Sequence, residues 1–236
     1  MSQSELVITE DGSHSLRDMR TGETYHSIHG AVQESRHIFI DRGLLCASAN
    51  TLTIFEVGFG TGLNAFLTWI EAERRGMHLS YTTVELYPVE APEWENLNFS
   101  TYVDSITENT STGEIAHPDL PVLSSDSFHE LHTCAWGSFH QLSPQFSFRK
   151  LRVDFTNYIP DRQYDLIYFD AFSPEKQPEL WLPERFATLA LHCNPGAILT
   201  TYCSRGSVKQ ALRDAGFTVE RLKGPPGKRH ILRGKI

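Results

Sequence analysis

The sequence predicts an α/β fold in which a mostly parallel central sheet is covered by helices on both faces. From residue 51 onward, short apolar runs of strand length alternate with amphipathic stretches of helix length. One run, Tyr164 to Asp170, is almost wholly apolar, as a strand buried on both faces should be. A glycine-rich turn, Gly58 to Gly62, joins the first strand of this series to the first helix. Such strand–helix alternation builds an open, mostly parallel sheet.

The individual helices and strands are predicted from the spacing at which apolar residues recur and from the turn residues between them. Strands are expected at Leu52 to Val57, Leu79 to Leu86, Leu151 to Val153, Tyr164 to Asp170, Ala197 to Tyr202, Phe217 to Leu222 and, as a short last strand, His230 to Leu232. Helices are expected at Asn64 to Arg75, at Pro183 to His192 before a turn at Asn194 to Gly196, and at Gly206 to Ala215 before Gly216.

Two regions depart from this alternation. Residues 1–50 contain the turn signals Asp11-Gly12-Ser13 and Thr21-Gly22-Glu23 and are expected to form a small β-rich N-terminal extension. Residues 51–236 form the main domain, with an insertion around 100–147 that is rich in Ser, Thr and His and has no clear period.

Composition excludes several classes of protein. The chain has 236 residues, of which 40% are hydrophobic, and its apolar runs are far shorter than the ~20 residues of a membrane span. The polar start, Met1 to Glu5, is unlike a signal peptide. The eleven histidines lack metal-ligand spacing, so no metal is expected. The four cysteines are widely spaced, which indicates free thiols and a cytoplasmic protein.

Charge is distributed unevenly along the chain. The net charge is −8, yet residues 205–236 contain nine Lys or Arg residues and two acids. A basic segment on an acidic protein could contact phosphates, or it could be a solvated charged surface. Charge alone leaves both interpretations open.

The glycine-rich turn is the expected cofactor site, since ligands of such sheets bind at the carboxyl ends of the strands. Glycines let the backbone approach a ligand closely, and the following helix offers free N–H groups. NAD-binding loops usually read G-x-G-x-x-G, but Leu63 stands where their third glycine would be. An acid two residues before the first glycine is typical of S-adenosylmethionine-dependent methyltransferases. The cofactor-binding residues expected here are Glu56, Gly58, Gly60, Thr61, Gly62 and Asn64.

Acidic residues after the next strands are expected to hold the rest of the cofactor. Glu85, with Leu86 beside it, follows Gly62 at about the spacing at which a carboxylate accepts hydrogen bonds from a ribose diol. Asp154 is expected to accept from the adenine amino group, with Phe155 against the ring. Asp126 is a weaker candidate for that role.

Asp170 is the expected catalytic residue, and Ala171 and Phe172 beside it are expected at the cofactor. It stands at the end of a central strand, and a proline-stiffened loop follows. An alkyl amine is mostly protonated at neutral pH, so a carboxylate could orient it and accept its proton. The alternative is an aspartate that only braces the loop.

These motifs together resemble the methyltransferase half of the MnmC family. The resemblance rests on Glu56 to Asn64, Phe169 to Pro174 with Pro178 to Trp181, Asp214 to Phe217, Gly227 to Arg229, Thr24 to Ser27 and Glu34 to Phe39. The family pattern is similar to D-G-F-x-P-x-x-N-P-x-x-W, with Ala171 here in place of the glycine and Gln177 in place of the asparagine.

The resemblance implies a Rossmann-like class I methyltransferase of bacterial type. It implies transfer of a methyl group to the aminomethyl nitrogen at C5 of the tRNA wobble uridine, with the anticodon stem-loop as partner. Bifunctional members also carry an FAD-dependent oxidase domain. No second G-x-G-x-x-G unit follows here, so a stand-alone form is expected. The implied substrate-binding residues are Tyr25, Glu34, Phe172, Pro174, Lys228 and Arg229, the last two at phosphates.

Three alternatives remain open at this point. A methyltransferase for a small-molecule amine would keep the fold and Asp170. An NAD(P)-dependent oxidoreductase is disfavoured by the missing third glycine and by the absence of a Tyr-x-x-x-Lys pair. A non-catalytic binding module on the same fold is the third.

Overall fold

The computed structural model describes residues 4–101, 123 and 126–236. The strands are β1 (Ser4–Ile8), β2 (His14–Asp18), β3 (Thr51–Val57), β4 (His78–Glu85), β5 (His140–Gln141), β6 (Phe146–Arg152), β7 (Tyr164–Phe169), β8 (Cys193–Thr201), β9 (Thr218–Lys223) and β10 (His230–Lys235). The α-helices are α1 (Ala31–Ser35), α2 (Leu63–Arg75), α3 (Ala91–Trp94), α4 (Asp126–Thr133), α5 (Pro183–Leu191) and α6 (Gly206–Asp214).

The central sheet has eight strands in the order β5-β6-β4-β3-β7-β8-β10-β9. The five strands from β6 to β8 are parallel, whereas β5, β9 and β10 pair antiparallel. The expected mostly parallel α/β fold is therefore confirmed. The chain passes outward from β3 to β4 and β6, then returns to β7 on the other side of β3. A crevice opens at such a reversal, beyond the carboxyl ends of the strands.

Three strands differ in extent from the sequence-based expectation. β6 begins at Phe146, because Phe146 and Phe148 alternate into the core although charged residues follow them. β8 already begins at Cys193 and passes through the expected turn, with a register irregularity opposite Tyr164. β10 continues to Lys235, since pairing with both β8 and β9 satisfies its backbone.

The N-terminal extension is β-structured only in part. β1 and β2 form a separate two-stranded sheet. The chain then forms α1, a π-helical segment (Arg36–Asp41) and a short 3₁₀ helix (Leu44–Cys46). The π-helical segment packs on the main core, with the Phe39 ring 5.0 Å from that of Tyr168. Its Arg36 pairs with Glu71 of α2, which is buried. The extension is thus fixed to the main domain.

The expected insertion lies partly outside the described residues, at 102–122 and 124–125. Its described part includes α4, whose last turn is closed by a buried lysine. The Lys150 ammonium of β6 donates to the backbone oxygens of Leu131 (2.8 Å) and His132. A cation is favourable at a helix carboxyl end, and this contact places α4 beside the glycine-rich turn. No helix in the described part of the chain is long and apolar enough to span a membrane.

Candidate functional site

A cleft of about 840 Å³ opens at the carboxyl ends of β3, β4, β6 and β7. Its volume suits a cofactor of nucleotide size. The sequence-predicted residues that line it are Tyr25, Glu34, Gly58, Gly60, Thr61, Glu85, Leu86, Asp154, Phe155, Asp170, Ala171, Phe172 and Lys228. Residues that are more than 200 positions apart in the sequence thus meet at one site.

The glycine-rich turn forms the floor of the cleft. Gly58 has a φ of +93°, and a Cβ atom there would lie 2.7 Å from the backbone oxygen of Asp170. Gly60 has a φ of +50°, and a Cβ atom there would lie 2.9 Å from the Tyr25 ring. Side chains rarely adopt such φ values. Glycine is therefore required at both positions by conformation and by space.

The Glu85 carboxylate stands at the end of β4 and is held by two backbone N–H groups. Gly60 donates to its Oε2 (3.1 Å) and Tyr87 donates to its Oε1 (2.9 Å). Each carboxylate oxygen has a further lone pair. The side chain can therefore accept two more hydrogen bonds without giving up its position.

Asp154 and Phe155 form the wall of the cleft beyond β6. The backbone N–H (2.8 Å) and the hydroxyl (2.7 Å) of Thr156 both donate to Asp154 Oδ1. Asp154 Oδ2 is left with one long contact, 3.4 Å from the Asn157 amide nitrogen. Phe155 is buried and still borders the cleft. Asp126, the weaker candidate, starts α4 and does not line this cleft.

Asp170 lies at the end of β7, between the glycine-rich turn and the wall that carries Lys228. The Asn64 amide donates to its Oδ2 (2.7 Å). Burial, assisted by the nearby Glu34 carboxylate, raises the pKa of Asp170 to about 7 against the opposing effects of Asn64 and Lys228. Near neutral pH this carboxyl group can thus both accept and release a proton.

Glu56 was expected among the cofactor-binding residues, but the structure places it elsewhere. Its side chain is fully buried beneath the turn and does not line the cleft. Burial raises its pKa to about 8, although Thr83 partly opposes the shift and Asp170 adds to it. Glu56 is therefore mostly uncharged at neutral pH and belongs to the core under the site.

Glu56→Gln is expected to flatten the pH dependence of stability. Because the folded-state pKa of about 8 exceeds the reference value of 4.5, the folded chain keeps a proton that the unfolded chain loses, and stability falls as pH rises through that window. Glutamine cannot titrate, so the fall in unfolding free energy should become less steep by about 1 kcal/mol per pH unit. Urea unfolding from pH 5 to 8 measures it, with the exposed Glu184→Gln of α5 as control. Equal slopes for wild type and Glu56→Gln would contradict the assignment.

Four other predicted residues also lie outside the cleft. Gly62 lies at the start of α2, where a Cβ atom would meet His132 and the Phe59 ring. Asn64 is buried and acts through Asp170. Pro174 follows the loop that lines the cleft, and Arg229 is exposed outside it. Gly62 and Asn64 are buried because they begin α2, and Arg229 is directed into solvent.

The wall opposite the glycine-rich turn comes from the N-terminal extension and the C-terminal hairpin. Glu34 of α1 is buried; its Oε2 accepts from the Ser27 N–H (2.7 Å), and its Oε1 forms an ion pair with the Lys228 ammonium, 2.6 Å away. Tyr25 packs against Phe172, with ring centroids 5.0 Å apart. Lys228 is thus a half-buried wall residue, and the expected direct phosphate contact does not fit its position.

Several residues of the site were missed in the sequence. Glu23 accepts from the backbone N–H of Ser173 (3.1 Å) and from its hydroxyl. Tyr202 donates to the Ala171 carbonyl (2.8 Å), and the Trp181 indole donates to that of Phe172 (2.7 Å). These bonds fix the loop after Asp170 from three sides. Of these residues only Trp181 could have been found in the sequence, because it ends the D-G-F-x-P-x-x-N-P-x-x-W pattern. The others are common polar residues in distant segments of the chain.

His26 was missed as well. Its Nε2 lies 2.6 Å from the Thr61 hydroxyl. Burial lowers the pKa of His26 to about 4, so the ring is neutral. It links the N-terminal extension to the glycine-rich turn. In the described part of the chain, no group of three or more His, Cys, Asp or Glu residues could hold a metal ion.

The chain is similar to known proteins along nearly its whole length. Residues 133–236 match a family described as S-adenosyl-L-methionine-dependent methyltransferase. Over 98% of its length the chain is 30% identical to the tRNA 5-methylaminomethyl-2-thiouridine biosynthesis bifunctional protein MnmC of Burkholderia thailandensis. Over 90% it is 33% identical to the protein of that name from Delftia acidovorans. It spans about a third of these relatives, 35% and 32% of their lengths.

Solved structures share the fold. The crystal structure of MNMC2 from Aquifex aeolicus superposes with a TM-score of 0.74 at 22% identity, covering 99% of this chain and 70% of that one. A spermidine synthase gives a TM-score of 0.54 at 8% identity, covering 98% and 72%. The fold and the cleft define a Rossmann-like S-adenosylmethionine-dependent methyltransferase. In sequence, the chain corresponds to the methyltransferase half of the MnmC family.

Proposed function

We propose that this chain transfers a methyl group from S-adenosylmethionine to the aminomethyl nitrogen at C5 of the tRNA wobble uridine, giving methylaminomethyl-uridine. The observation that carries the proposal is the whole-length likeness to proteins named for 5-methylaminomethyl-2-thiouridine biosynthesis. The likeness coincides with a cleft whose wall carries Asp170. A tRNA acceptor would place the reaction in the cytoplasm, on the anticodon stem-loop.

The residues of the cleft fit the cofactor. Gly58 and Gly60 let the turn pack closely against Asp170 and Tyr25 at the floor of the cleft, and Glu85 has free lone pairs for the two ribose hydroxyls. Asp154 Oδ2 and the Phe155 ring provide an acceptor and an apolar surface for adenine. When bound, S-adenosylmethionine supplies the methyl group from a sulfonium. Residues 51–236 would thus hold the cofactor, and the N-terminal extension would complete the wall.

The acceptor side of the cleft suits an amine. Asp170 can orient a primary ammonium and accept a proton from it, because burial keeps its pKa near 7. Phe172 and Tyr25 provide apolar ring surfaces beside it, on which a pyrimidine can stack. The loop that carries Phe172 is held by Tyr202, Trp181 and Glu23, so the acceptor would meet a preorganised surface.

Glu85→Gln is expected to weaken cofactor binding by about 10- to 100-fold, because a charged acceptor is lost at the ribose hydroxyls. The methylation rate at saturating cofactor should change little, since the ribose hydroxyls do not take part in the transfer. Calorimetric titration with S-adenosylhomocysteine measures the affinity. The exposed Glu90→Gln, five residues further on, is the matched control. A reduced saturated rate with unchanged affinity would place Glu85 in the chemistry instead.

The proposed reaction is tested with tRNA from cells that lack this protein. Incubation with the pure chain and labelled S-adenosylmethionine, followed by mass analysis of the wobble nucleoside, should show the gain of one methyl group on aminomethyl-uridine. Methylation of free alkyl amines but not of tRNA would favour a small-molecule methyltransferase. Cofactor binding without any methylation would favour a binding module, and reduction of a nicotinamide cofactor would favour an oxidoreductase.

Phosphate contacts are assigned to the exposed part of the basic C-terminal segment, with Arg229 nearest to the cleft residue Lys228. Arg229→Ala should weaken tRNA binding and reduce the salt slope by about one. Fluorescence titration at a series of salt concentrations measures both. An unchanged slope would remove Arg229 from the tRNA interface.

A further inference from the structure

A buried ion pair joins two segments that the Rossmann-like fold does not require. Glu34 belongs to α1 of the N-terminal extension, and Lys228 lies in the turn between β9 and β10. The carboxylate is 7% exposed, and the ammonium lies 2.6 Å from its Oε1. The Ser27 N–H holds the other carboxylate oxygen at 2.7 Å. The position of the ammonium is thereby fixed.

The Lys228 ammonium faces the cleft, so it is not placed to contact phosphates at the protein surface. Its ammonium lies 5.0 Å from the centroid of the Tyr202 ring, whose hydroxyl donates to the Ala171 carbonyl. It is close enough to Asp170 to lower the pKa of that carboxyl. Lys228 and Asp170 therefore share the acceptor end of the cleft.

The titratable groups that face Lys228 come from four elements. They are Glu34 of α1, His26 in the segment before it, Asp170 after β7, and Tyr202 and Cys203 after β8. His26 is neutral, because burial lowers its pKa to about 4. Burial also raises the pKa values of Tyr202 and Cys203, so both are neutral. Among the described residues, the remaining acidic and basic groups at this end are Lys228, Glu34, Asp170 and Glu23, which holds Ser173.

Building on the proposed amine methylation, we propose that Lys228 keeps the bound acceptor amine deprotonated, so that its lone pair is free for the methyl group. A fixed positive charge beside an amine disfavours the ammonium form. Asp170 takes one proton from the acceptor ammonium. The nitrogen lone pair then forms the N–CH₃ bond, the S–CH₃ bond breaks with its electron pair left on sulfur, and the product nitrogen is again a cation.

The two carboxylates have different tasks in this arrangement. Asp170 accepts the proton, and its burial-raised pKa brings it closer to that of the amine. Glu34 fixes the ammonium of Lys228, and its own charge partly cancels the effect of that ammonium. Removing Lys228 and removing the charge of Glu34 should therefore shift the amine equilibrium in opposite directions.

Single-turnover methylation from pH 6 to 10 tests this inference. In Lys228→Met the rising limb should move up by about one pH unit, with about a tenfold loss near neutral pH and recovery at high pH. Lys228→Arg should keep the wild-type limb. Glu34→Gln should move the limb down. Lys176→Met, an exposed lysine outside the basic C-terminal segment, is the matched control and should leave the limb in place.

A direct titration separates the amine from Asp170 and does not require turnover. An anticodon stem-loop with a ¹⁵N-labelled aminomethyl group is bound to the protein with S-adenosylhomocysteine, and the ¹⁵N chemical shift is followed against pH. The amine pKa should be about one unit higher in Lys228→Met than in wild type.

Equal losses at all pH values in Lys228→Met, with an unchanged amine pKa, would overturn the inference and leave a structural ion pair. If Lys228→Met does not fold, the ¹⁵N titration of Lys228→Arg and Glu34→Gln still decides, because a purely structural pair predicts no fall in the amine pKa for Glu34→Gln. A wild-type chain that methylates no amine at any pH would instead overturn the proposed function.

Discussion

Replacing Asp170 by asparagine is expected to lower the methyl-transfer rate by about 100- to 10,000-fold, the usual contribution of a positioned general base. The substitution keeps the size of the side chain, and its amide oxygen can still accept the hydrogen bond from Asn64 that spans 2.7 Å. The loop geometry and the cofactor affinity should therefore stay within about threefold of wild type. Rapid-quench methylation and calorimetry measure the two effects.

The pH dependence of the methyl-transfer rate gives a second test of Asp170 as the general base. In wild type the rate should fall as pH drops below about 7, because the raised pKa of Asp170 leaves the carboxyl group protonated there. Asp170→Asn should lose the part of that dependence that comes from the Asp170 carboxyl group, along with most of its rate. Asp214→Asn, at the exposed end of α6, is the control. Full activity in Asp170→Asn would reduce this residue to a brace of the loop.

Gly58→Ala is expected to damage both the stability of the fold and the geometry of the site. The φ of +93° is strained for alanine, and the new Cβ atom would meet the Asp170 backbone oxygen at 2.7 Å. The backbone of the catalytic loop would have to move away. We expect a loss of about 3 kcal/mol in unfolding free energy and about 100-fold in the methyl-transfer rate.

Gly137→Ala is the matched control for this substitution. Gly137 has the same φ of +93°, but nothing lies within 4 Å of a Cβ atom there. It should lose only the conformational part, about 1 kcal/mol, with no change in the methylation rate. Urea unfolding and single-turnover methylation measure both variants. Equal losses in the two variants would show that the positive φ accounts for the effect at Gly58 and that the close contact with the Asp170 backbone oxygen does not.

The central sheet could be predicted from the sequence because its signals are local. An apolar run such as Tyr164 to Phe169 indicates a buried strand without knowledge of its neighbours. β6 was shortened in the prediction because Lys150 interrupts its apolar pattern, although its ammonium bonds to the end of α4. The helical segment Arg36–Asp41 was missed for a related reason, since Arg36 meets its partner Glu71 only in the folded chain.

The candidate site divides in the same way. Gly58, Glu85 and Asp170 could be found because each follows a strand and topology brings strand ends together. Glu56 was expected at the cofactor, because the sequence does not show that its carboxyl group is buried below the glycine-rich turn and uncharged. Lys228 was expected at phosphates, since its sequence neighbours are basic. The structure pairs it with Glu34 within the cleft.

The sequence by itself therefore determined the fold class and the positions of the glycine-rich turn and of Asp170 at strand ends, because short-range pattern and strand order suffice for these. The tertiary structure decided the acceptor end of the cleft. There α1, the segment around His26 and the β9–β10 turn converge from opposite ends of the chain. Burial then sets which groups are charged, and burial is a property of the packed molecule that no local pattern encodes.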